Sequence, residues 1–428
     1  MKRSSLVSTL LLTIGAIVAV SALPQSAKAD VTLFDRDGWT FYTSGLVAAH
    51  YQLVSGDADP TGSKNFSGGQ ILDEIATSDQ RDGSIKLSNV RSGFVGTQIG
   101  FGMNRQINTD LRVESFFSLN VAGINNNRGQ EHLKGIDYRE AWASLVTPFG
   151  SLKFGRMFGL FASASAQVQI LAWRYGVGHP CFVKFAGISC GSTGAGPLYP
   201  GFDATIRYTS PRIFGFEGNV AIVDPYVNYN FKMSPYPRFD ADVNFDKTWG
   251  IIRARFMGQY MLNRVGTSTP PSGMMDGTLT MRNIYGLMGA GILNVGPGVV
   301  GFGGWSGKGV GERVPLEAND AANPISNDQQ FNLREFRGFF GNAGGTIGPL
   351  TLIAGGGILY VRKTSVDRLP PADVPNNVLT SQWEYHVVAN YRIDSIIFNV
   401  EYMHWQSNWN LGEKQNINFM GGGVNYVW

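Results

Sequence analysis

The chain has 428 residues, with 35 Lys and Arg against 32 Asp and Glu, and only 16% of its residues are charged. So even a balance excludes a nucleic-acid partner held by net charge, and 12% aromatic residues argue against intrinsic disorder. Two cysteines are too few for a disulfide-built scaffold, while 55 glycines approach twice the usual share.

The first element is a removable one. Met1–Ala29 has a basic start (Lys2, Arg3), an apolar run from Leu10 to Leu23, and a small-x-small end, Ala27-Lys28-Ala29. That is the layout of a secretory signal peptide. The 14-residue run falls short of the ~20 residues a membrane-spanning helix needs, and no later stretch reaches that length. Cleavage after Ala29 removes Lys2, Arg3 and Lys28 and leaves Asp30–Trp428 with 32 charges of each sign. Residues 30–428 are expected to form a single domain in an oxidising compartment.

From there the dominant period is two. Trp39, Phe41, Val47, Ala49 and Tyr51 share one face, and Thr40, Tyr42, Ser44, His50 and Gln52 the other. Leu111, Val113, Phe117, Leu119 and Val121 alternate with Arg112, Glu114, Ser118 and Asn120. Ile252, Ala254, Phe256 and Tyr260 alternate with Arg253, Arg255 and Gln259. Trp383, Tyr385, Val387 and Tyr391 alternate with Glu384, His386, Asn390 and Arg392. These are strands with one apolar and one polar face. Alternation is poor near Phe331–Asn342 and Leu350–Val361.

The connections alternate as well. Turn chemistry marks seven tight links: Met103–Thr109, Thr147–Gly150, Pro211–Gly215, Asp246–Gly250, Val295–Gly298, Thr346–Pro349 and Ile393–Ser395. Eight longer stretches lie between them: Val54–Val90, Gly123–Asp137, Phe161–Phe202, Asn230–Arg238, Asn263–Thr280, Val310–Gln330, Lys363–Thr380 and Ser407–Lys414. Fifteen connections join 16 strands. The fold class is therefore all-β, a transmembrane antiparallel β-barrel of about 16 strands with short turns on one side and long loops on the other. Every backbone N–H and C=O must be paired in lipid, so the sheet closes. A barrel of this size keeps a water-filled lumen. A soluble sandwich or propeller also alternates, but the short–long rhythm and the low charge favour the membrane barrel.

Three segments resemble the general porins of Gram-negative bacteria. Tyr138–Trp142 running on to Thr147-Pro148-Phe149-Gly150-Ser151-Leu152-Lys153-Phe154-Gly155-Arg156 is similar to the strand–turn–strand ending in FG-S-L-x-x-G-R that leads into the third loop. Ala204–Pro211 with Phe214-Gly215-Phe216 is similar to the strand and turn that follow that loop. Val424, Tyr426 and Trp428 alternate up to a terminal aromatic residue, as in the C-terminal strand that the barrel-assembly machinery reads. The resemblance implies a homotrimer in the outer membrane, in contact with lipid and lipopolysaccharide. It implies a third loop, about 161–202, folded inward to narrow each pore, and Arg156 pointing into the lumen beside it. Passive diffusion of small hydrophilic solutes is the implied function. A substrate-selective channel of the same fold and a non-conducting structural or adhesive barrel are the alternatives.

One departure from the family carries information. General porins often place Asp and Glu on the third loop, but Phe161–Phe202 has neither; its formal charges are Arg174 and Lys184, with His179 titratable. Arg112, Arg207, Arg253 and Arg255 fall on the polar face, so a constriction rich in cations is expected to favour anions. Glu114, Glu217, Glu384 and Glu401 share that face and can cancel the effect by pairing. The loop aromatics, Phe161, Trp173, Tyr175, Phe182 and Phe185 among them, either form an apolar slide or pack the loop on the wall. Cys181 and Cys190 are close enough in sequence for a loop-stiffening disulfide in an oxidising compartment. Trp39, Tyr51, Trp383, Tyr402 and Trp405 are expected in the aromatic girdles at the lipid boundary. No nucleophile elbow, His-Glu-x-x-His or Cys-x-x-Cys is present, so no enzyme, cofactor or metal site is expected.

Overall fold

Period-two alternation sorts the side chains of the computed structural model onto two faces of a single sheet. The structure describes residues 31–57, 84–121, 136–178, 195–224, 231–232, 236–267, 280–310, 332–365, 367 and 379–428. In chain order the strands are β1 (Val31–Arg36), β2 (Trp39–Asp57), β3 (Ser84–Arg91), β4 (Gln98–Asn108), β5 (Leu111–Val121), β6 (Ile136–Thr147) and β7 (Gly150–Phe158). A helix, α1 (Ser163–Trp173), follows. Then come β8 (Phe202–Thr209), β9 (Phe216–Val223), β10 (Phe231–Lys232), β11 (Arg238–Trp249), β12 (Ile252–Thr267) and β13 (Thr280–Val295). The chain finishes with β14 (Gly298–Lys308), β15 (Glu335–Ile347), β16 (Leu350–Arg362), β17 (Leu379–Ile393), β18 (Ile396–Trp409) and β19 (Lys414–Val427).

These segments make a closed antiparallel barrel with 16 wall positions. β2 pairs with β3 through His50–Asp57 and with β4 through Trp39–Leu46, so β3 and β4 are two halves of one position. β10 and β11 both pair with β12 and share another. β19 closes the wall on β2, from Ile417↔Gly56 to Val427↔Leu46. β1 continues the line of β19 along the same neighbour, pairing with β2 from Thr43 to Trp39. Four of the tight turns are two-residue links whose first residue, Gly or Asp, takes a positive φ: Gly250 (φ 56), Gly296 (φ 53), Gly348 (φ 56) and Asp394 (φ 50). That backbone twist matches the twist of the flanking strands.

The outer face is apolar and open: Phe101, Phe117, Phe154, Ile206, Val220, Phe256, Leu287, Phe302, Val387 and Val400 are exposed. This is the lipid face. On β17 and β18, Trp383, Tyr385, Tyr402 and His404 cluster outward, with Trp383–His404 and Tyr385–His404 ring centroids each 5.3 Å apart. Trp405 is a correction to the girdle assignment. It alternates with Tyr402 and His404 onto the inner face and is 1% exposed, because the inner side of β18 is covered.

The inner face is not uniformly polar. On β12–β16 it carries Met257, Met261, Ile284, Met288, Ile292, Trp305, Phe336 and Phe340, all buried. α1 and the residues around it pack here, with Phe161, Ala164, Val168 and Leu198 in the same cluster. Each fully buried large side chain contributes about 1.5–3 kcal/mol. Both faces of β15 and β16 are therefore largely apolar or Gly between their ends, Asn342 excepted, which is why those strands alternate poorly in sequence.

At the long-loop end, Arg334 and Asp367 form a buried two-pronged pair. Arg334 Nε donates to Asp367 Oδ2 and Nη2 to Oδ1, each at 2.8 Å, and the Thr364 N–H donates to Oδ2 at 2.9 Å. Burial alone would raise the Asp367 carboxyl, but the Arg334 hydrogen bonds and charge outweigh it and hold it below its ordinary value. A depressed carboxyl contributes stability that is present above its unfolded pKa of ~3.9 and lost as pH falls through the folded value. Acidification below about pH 4 is expected to speed hydrogen exchange around Thr364–Asp367. Arg334→Met is expected to do so at neutral pH, at a local cost of roughly 3–5 kcal/mol. Unchanged exchange in that variant would count against the pair as a loop latch.

Candidate functional site

The connection between β7 and β8 supplies the site. Its Ala-, Gln- and Leu-containing stretch Ser163–Trp173 has good helix formers and becomes α1. The helix ends where the Gly176 N–H turns back to the Trp173 carbonyl at 3.2 Å. Ala164, Ser165, Ala166, Val168, Gln169, Ala172 and Trp173 are buried. Ser163, Gln167, Ile170 and Arg174 remain open, a stripe at helical spacing that contains no acid.

α1 packs on the inner side of the wall, against β12–β17. Glycines make the seat. A Cβ at Gly286 would collide with the Phe161 ring, one at Gly357 with the Ala195 carbonyl, and one at Gly338 with the Gly196 carbonyl. The backbone of 195–198 therefore lies flush on β15 and β16. Polar side chains then pin the segment. Gln259 Nε2 donates to the Leu160 carbonyl (3.0 Å) and to Ser163 Oγ (2.8 Å), while its Oε1 accepts from Ala164 N–H (3.3 Å). Asn342 Nδ2 donates to the Val168 carbonyl at 2.9 Å and Trp305 Nε1 to the Gly196 carbonyl at 2.6 Å. The Trp173 ring sits 4.4 Å from the His386 ring.

The far end of the segment is anchored across the barrel seam. Glu401 accepts the Val177 N–H at 2.9 Å and Asn425 Nδ2 donates to the Tyr175 carbonyl at 3.0 Å. Phe94 N–H donates to the Gly176 carbonyl at 2.7 Å. This last contact falls in the gap between β3 and β4, where Gly93 has φ 91 and a Cβ would stand 2.9 Å from the Gly176 oxygen. The wall strand is broken where the segment touches it.

Opposite α1, the inner face of β5–β12 is charged. Arg112 pairs with Glu114 at 2.7 Å. Arg253 grips Asp246 through Nε (2.9 Å) and Nη2 (2.6 Å). Arg212 meets Glu217 at 3.0 Å. Buried Arg238 is held by Asp203 and Asp240 at 2.9 and 3.0 Å. Four cations have no carboxylate within ion-pair distance among the described residues. Arg207 Nη2 donates to the Phe158 carbonyl at 2.8 Å. Arg255 Nη1 donates to Gln167 on α1 at 3.4 Å. Lys153 Nζ lies 3.7 Å from the Trp142 ring centroid. Arg174 lies 5.5 Å from the Tyr175 ring. Glu384 and Glu401 do not answer these cations; Glu384 bonds His386 at 3.0 Å and Glu401 the loop backbone.

The residues named from sequence thus separate. Arg112, Glu114, Arg207, Arg253 and Arg255 share the inner face, and Arg174 stands at the end of α1. Arg156 is a correction. In β7, Leu152, Phe154 and Arg156 are exposed on the lipid face, while Ser151, Lys153 and Gly155 point inward. Strict alternation puts the residue after an inward Gly155 outside. Lys153 and Trp142 were missed as pore residues, although alternation from Leu152 and Leu145 would have found both. Phe161 and Trp173 are fully buried against the wall. Lys184, His179, Phe182, Phe185, Cys181 and Cys190 lie outside the described residues, and so does the disulfide expected of the last two.

Comparison with known proteins agrees with this architecture. The chain resembles the outer membrane channel DcaP of Acinetobacter baumannii, with a TM-score of 0.64 at 13% identity over 93% of this chain and all of that one. An anion-selective porin from Comamonas acidovorans superposes with a TM-score of 0.56 at 11% identity, covering 91% of this chain and 100% of the other. OmpT of Vibrio cholerae in its trimer form gives 0.52 at 13% identity, covering 92% and 100%. At such identities these establish the fold. No curated protein sequence matches the chain. The family model for Gram-negative porins matches residues 15–247, more than half the length. The chain therefore belongs to the Gram-negative porins, as an integral β-barrel of the outer membrane that forms a passive channel rather than an enzyme.

Proposed function

We propose that this porin passes small hydrophilic solutes through an off-centre aperture between α1 and the inner wall of β5–β9, with a preference for anions. The observation that carries this reading is the charge census of the pore. Lys153, Arg174, Arg207 and Arg255 have no carboxylate within ion-pair distance, and they outnumber the inner-face acids held only by neutral donors, Glu140 on Trp142 and Asp242 on Asn219 and Asn244. An unpaired charge in a narrow aqueous passage is worth ~1 kcal/mol at 4 Å even in bulk water, and more where water is restricted. The stretches 159–178 and 195–201 set the size limit, because they occupy the inner side along β12–β18. The Comamonas relative described as anion-selective is consistent with this reading. A homotrimer is supported by the trimer form of the Vibrio relative. Outer-membrane lipid and lipopolysaccharide would contact the apolar outer face. The assembly machinery would read the last strand, where Val424 and Tyr426 are exposed beside Trp428.

Single-channel recording in a planar bilayer under a KCl gradient tests the proposal. Triplet steps with a reversal potential displaced toward the chloride potential are expected, the displacement shrinking as salt screens the pore. A cation-directed reversal would reject the anion preference, and silent, correctly folded protein would favour a closed or structural barrel.

A further inference from the structure

The wall facing α1 carries a row of aromatic rings that the charge argument leaves unused. Tyr42 on β2 pairs with Gly102, Gly102 with Phe116 on β5, Phe116 with Trp142 on β6, and Trp142 with Gly155 on β7. All five residues therefore point inward on one cross-strand row. The glycines are spaces for rings: a Cβ at Gly102 would meet the Tyr42 ring, and one at Gly100 the Phe116 ring. The side chains thus lie flat on the wall. The Phe116 and Trp142 centroids are 5.9 Å apart at 32°. Trp142 Nε1 donates to Glu140 Oε1 at 3.3 Å, which fixes the indole plane. Lys153 Nζ sits over that ring, 3.7 Å from its centroid, its cross-strand partner is Arg207, and the Glu140 carboxylate is close enough to act on both cations from beyond ion-pair distance. Tyr42, Phe116 and Trp142 keep part of their surface open to the lumen.

A passage for hydrated ions alone has no use for a flat apolar strip at the level where the segment after β7 begins. Rings beside unpaired cations recognise a solute with both features. We infer that this strip is a binding subsite for planar aromatic carboxylates. The solute ring stacks along Phe116 and displaces the Lys153 ammonium from the face of Trp142, and its carboxylate takes Lys153 and Arg207. A neutral sugar would add no charge to the pair of cations that the single Glu140 faces, and an aromatic cation would be repelled by that pair. The inference rests on the anion-preferring reading and narrows it to a class of solute.

Benzoate is the probe, added to one side of the bilayer during single-channel recording. Acetate supplies the charge without the ring, and benzamide the ring without the charge. Benzoate is expected to interrupt the current with resolvable dwell times, and the other two are not. Trp142→Leu is expected to shorten the benzoate dwell by about 2- to 10-fold, the range of one aromatic contact, and Lys153→Gln to shorten it as well. Phe116→Leu serves if Trp142→Leu does not fold. Benzoate acting like acetate, benzamide acting like benzoate, or a dwell indifferent to both ring variants would overturn the subsite. Anion-directed reversal without benzoate block removes the subsite and leaves the anion preference. Benzoate block with cation-directed reversal does the opposite.

Discussion

Replacing Lys153, Arg207 and Arg255 together by Gln is expected to abolish the anion preference, and replacing them by Glu to invert the reversal potential. The same changes at Arg112 and Arg253 are expected to act by another route, by baring Glu114 and Asp246. The difference lies in what each cation already touches. Arg112 and Arg253 hold carboxylates at 2.7 and 2.6 Å, so each pair is close to neutral at a distance. Arg207 spends its hydrogen bond on a carbonyl, Arg255 on an amide and Lys153 on an indole face, so no carboxylate neutralises them at ion-pair distance. At ~1 kcal/mol per unpaired charge, each substitution should change the permeability ratio several-fold at low salt. The ion-paired arginines bring a second effect, since Arg253→Gln leaves Asp246 with only Arg212 at 3.7 Å and would push selectivity toward cations. Recordings of both sets under one gradient check the prediction. Equal shifts from the paired and unpaired sets would mean that pairing does not matter in this pore.

The second large effect is expected at the glycine seat. Gly357→Val places a side chain where the Ala195 carbonyl now lies, and Gly338→Val does the same against Gly196. Neither obstacle is a flexible side-chain tip, so the segment 195–198 must lift from β15 and β16. Overpacking of this kind costs about 1–3 kcal/mol, which raises the unseated population roughly 5- to 150-fold. The Trp305–Gly196 hydrogen bond is lost with it. The displaced segment can only move into the aperture, so conductance is expected to fall and open-channel noise to rise. Gly258→Ala is the control, because nothing lies within 4 Å of its Cβ position and it faces outward on β12. Parental conductance and noise in Gly357→Val would show that the seat does not hold the loop.

Much of the barrel was legible because lipid imposes a simple rule on sequence. A strand that faces hydrocarbon on one side and water on the other must alternate, and Leu111–Val121 and Trp383–Arg392 do so. The turn residues marked the other boundaries for the same reason. Legibility failed where the inner face meets protein instead of water. Phe336, Phe340 and Ile353 face inward but pack beneath the segment after β7 or beside it, so β15 and β16 read as apolar on both sides. Trp405 looked like a lipid-boundary aromatic for that reason too. Arg156 was misplaced because a matching motif was allowed to outweigh the alternation of Leu152 and Phe154 beside it. The break between β3 and β4 was marked locally only by Gly93 and Gly96, since its contact depends on Gly176 arriving from a distant loop. The aromatic row was hidden differently: Tyr42, Phe116 and Trp142 come from three strands, and only register brings them together.

The pairing of β19 with β2 has a kinetic consequence. Leu46 meets Val427, and the Gly45 N–H meets the Trp428 carbonyl, so the contact that completes the wall joins almost opposite ends of the chain. Closing so long a loop costs ~5 kcal/mol of chain entropy, which other pairings do not share. Neighbouring hairpins can form locally and early, but the seam forms last. Until then the growing sheet has two bare edges, each a row of unsatisfied donors and acceptors that hydrocarbon will not tolerate and that other chains can capture. Insertion and closure must therefore be nearly one event, and the hazard in this molecule's life lies in the interval before its two ends find each other.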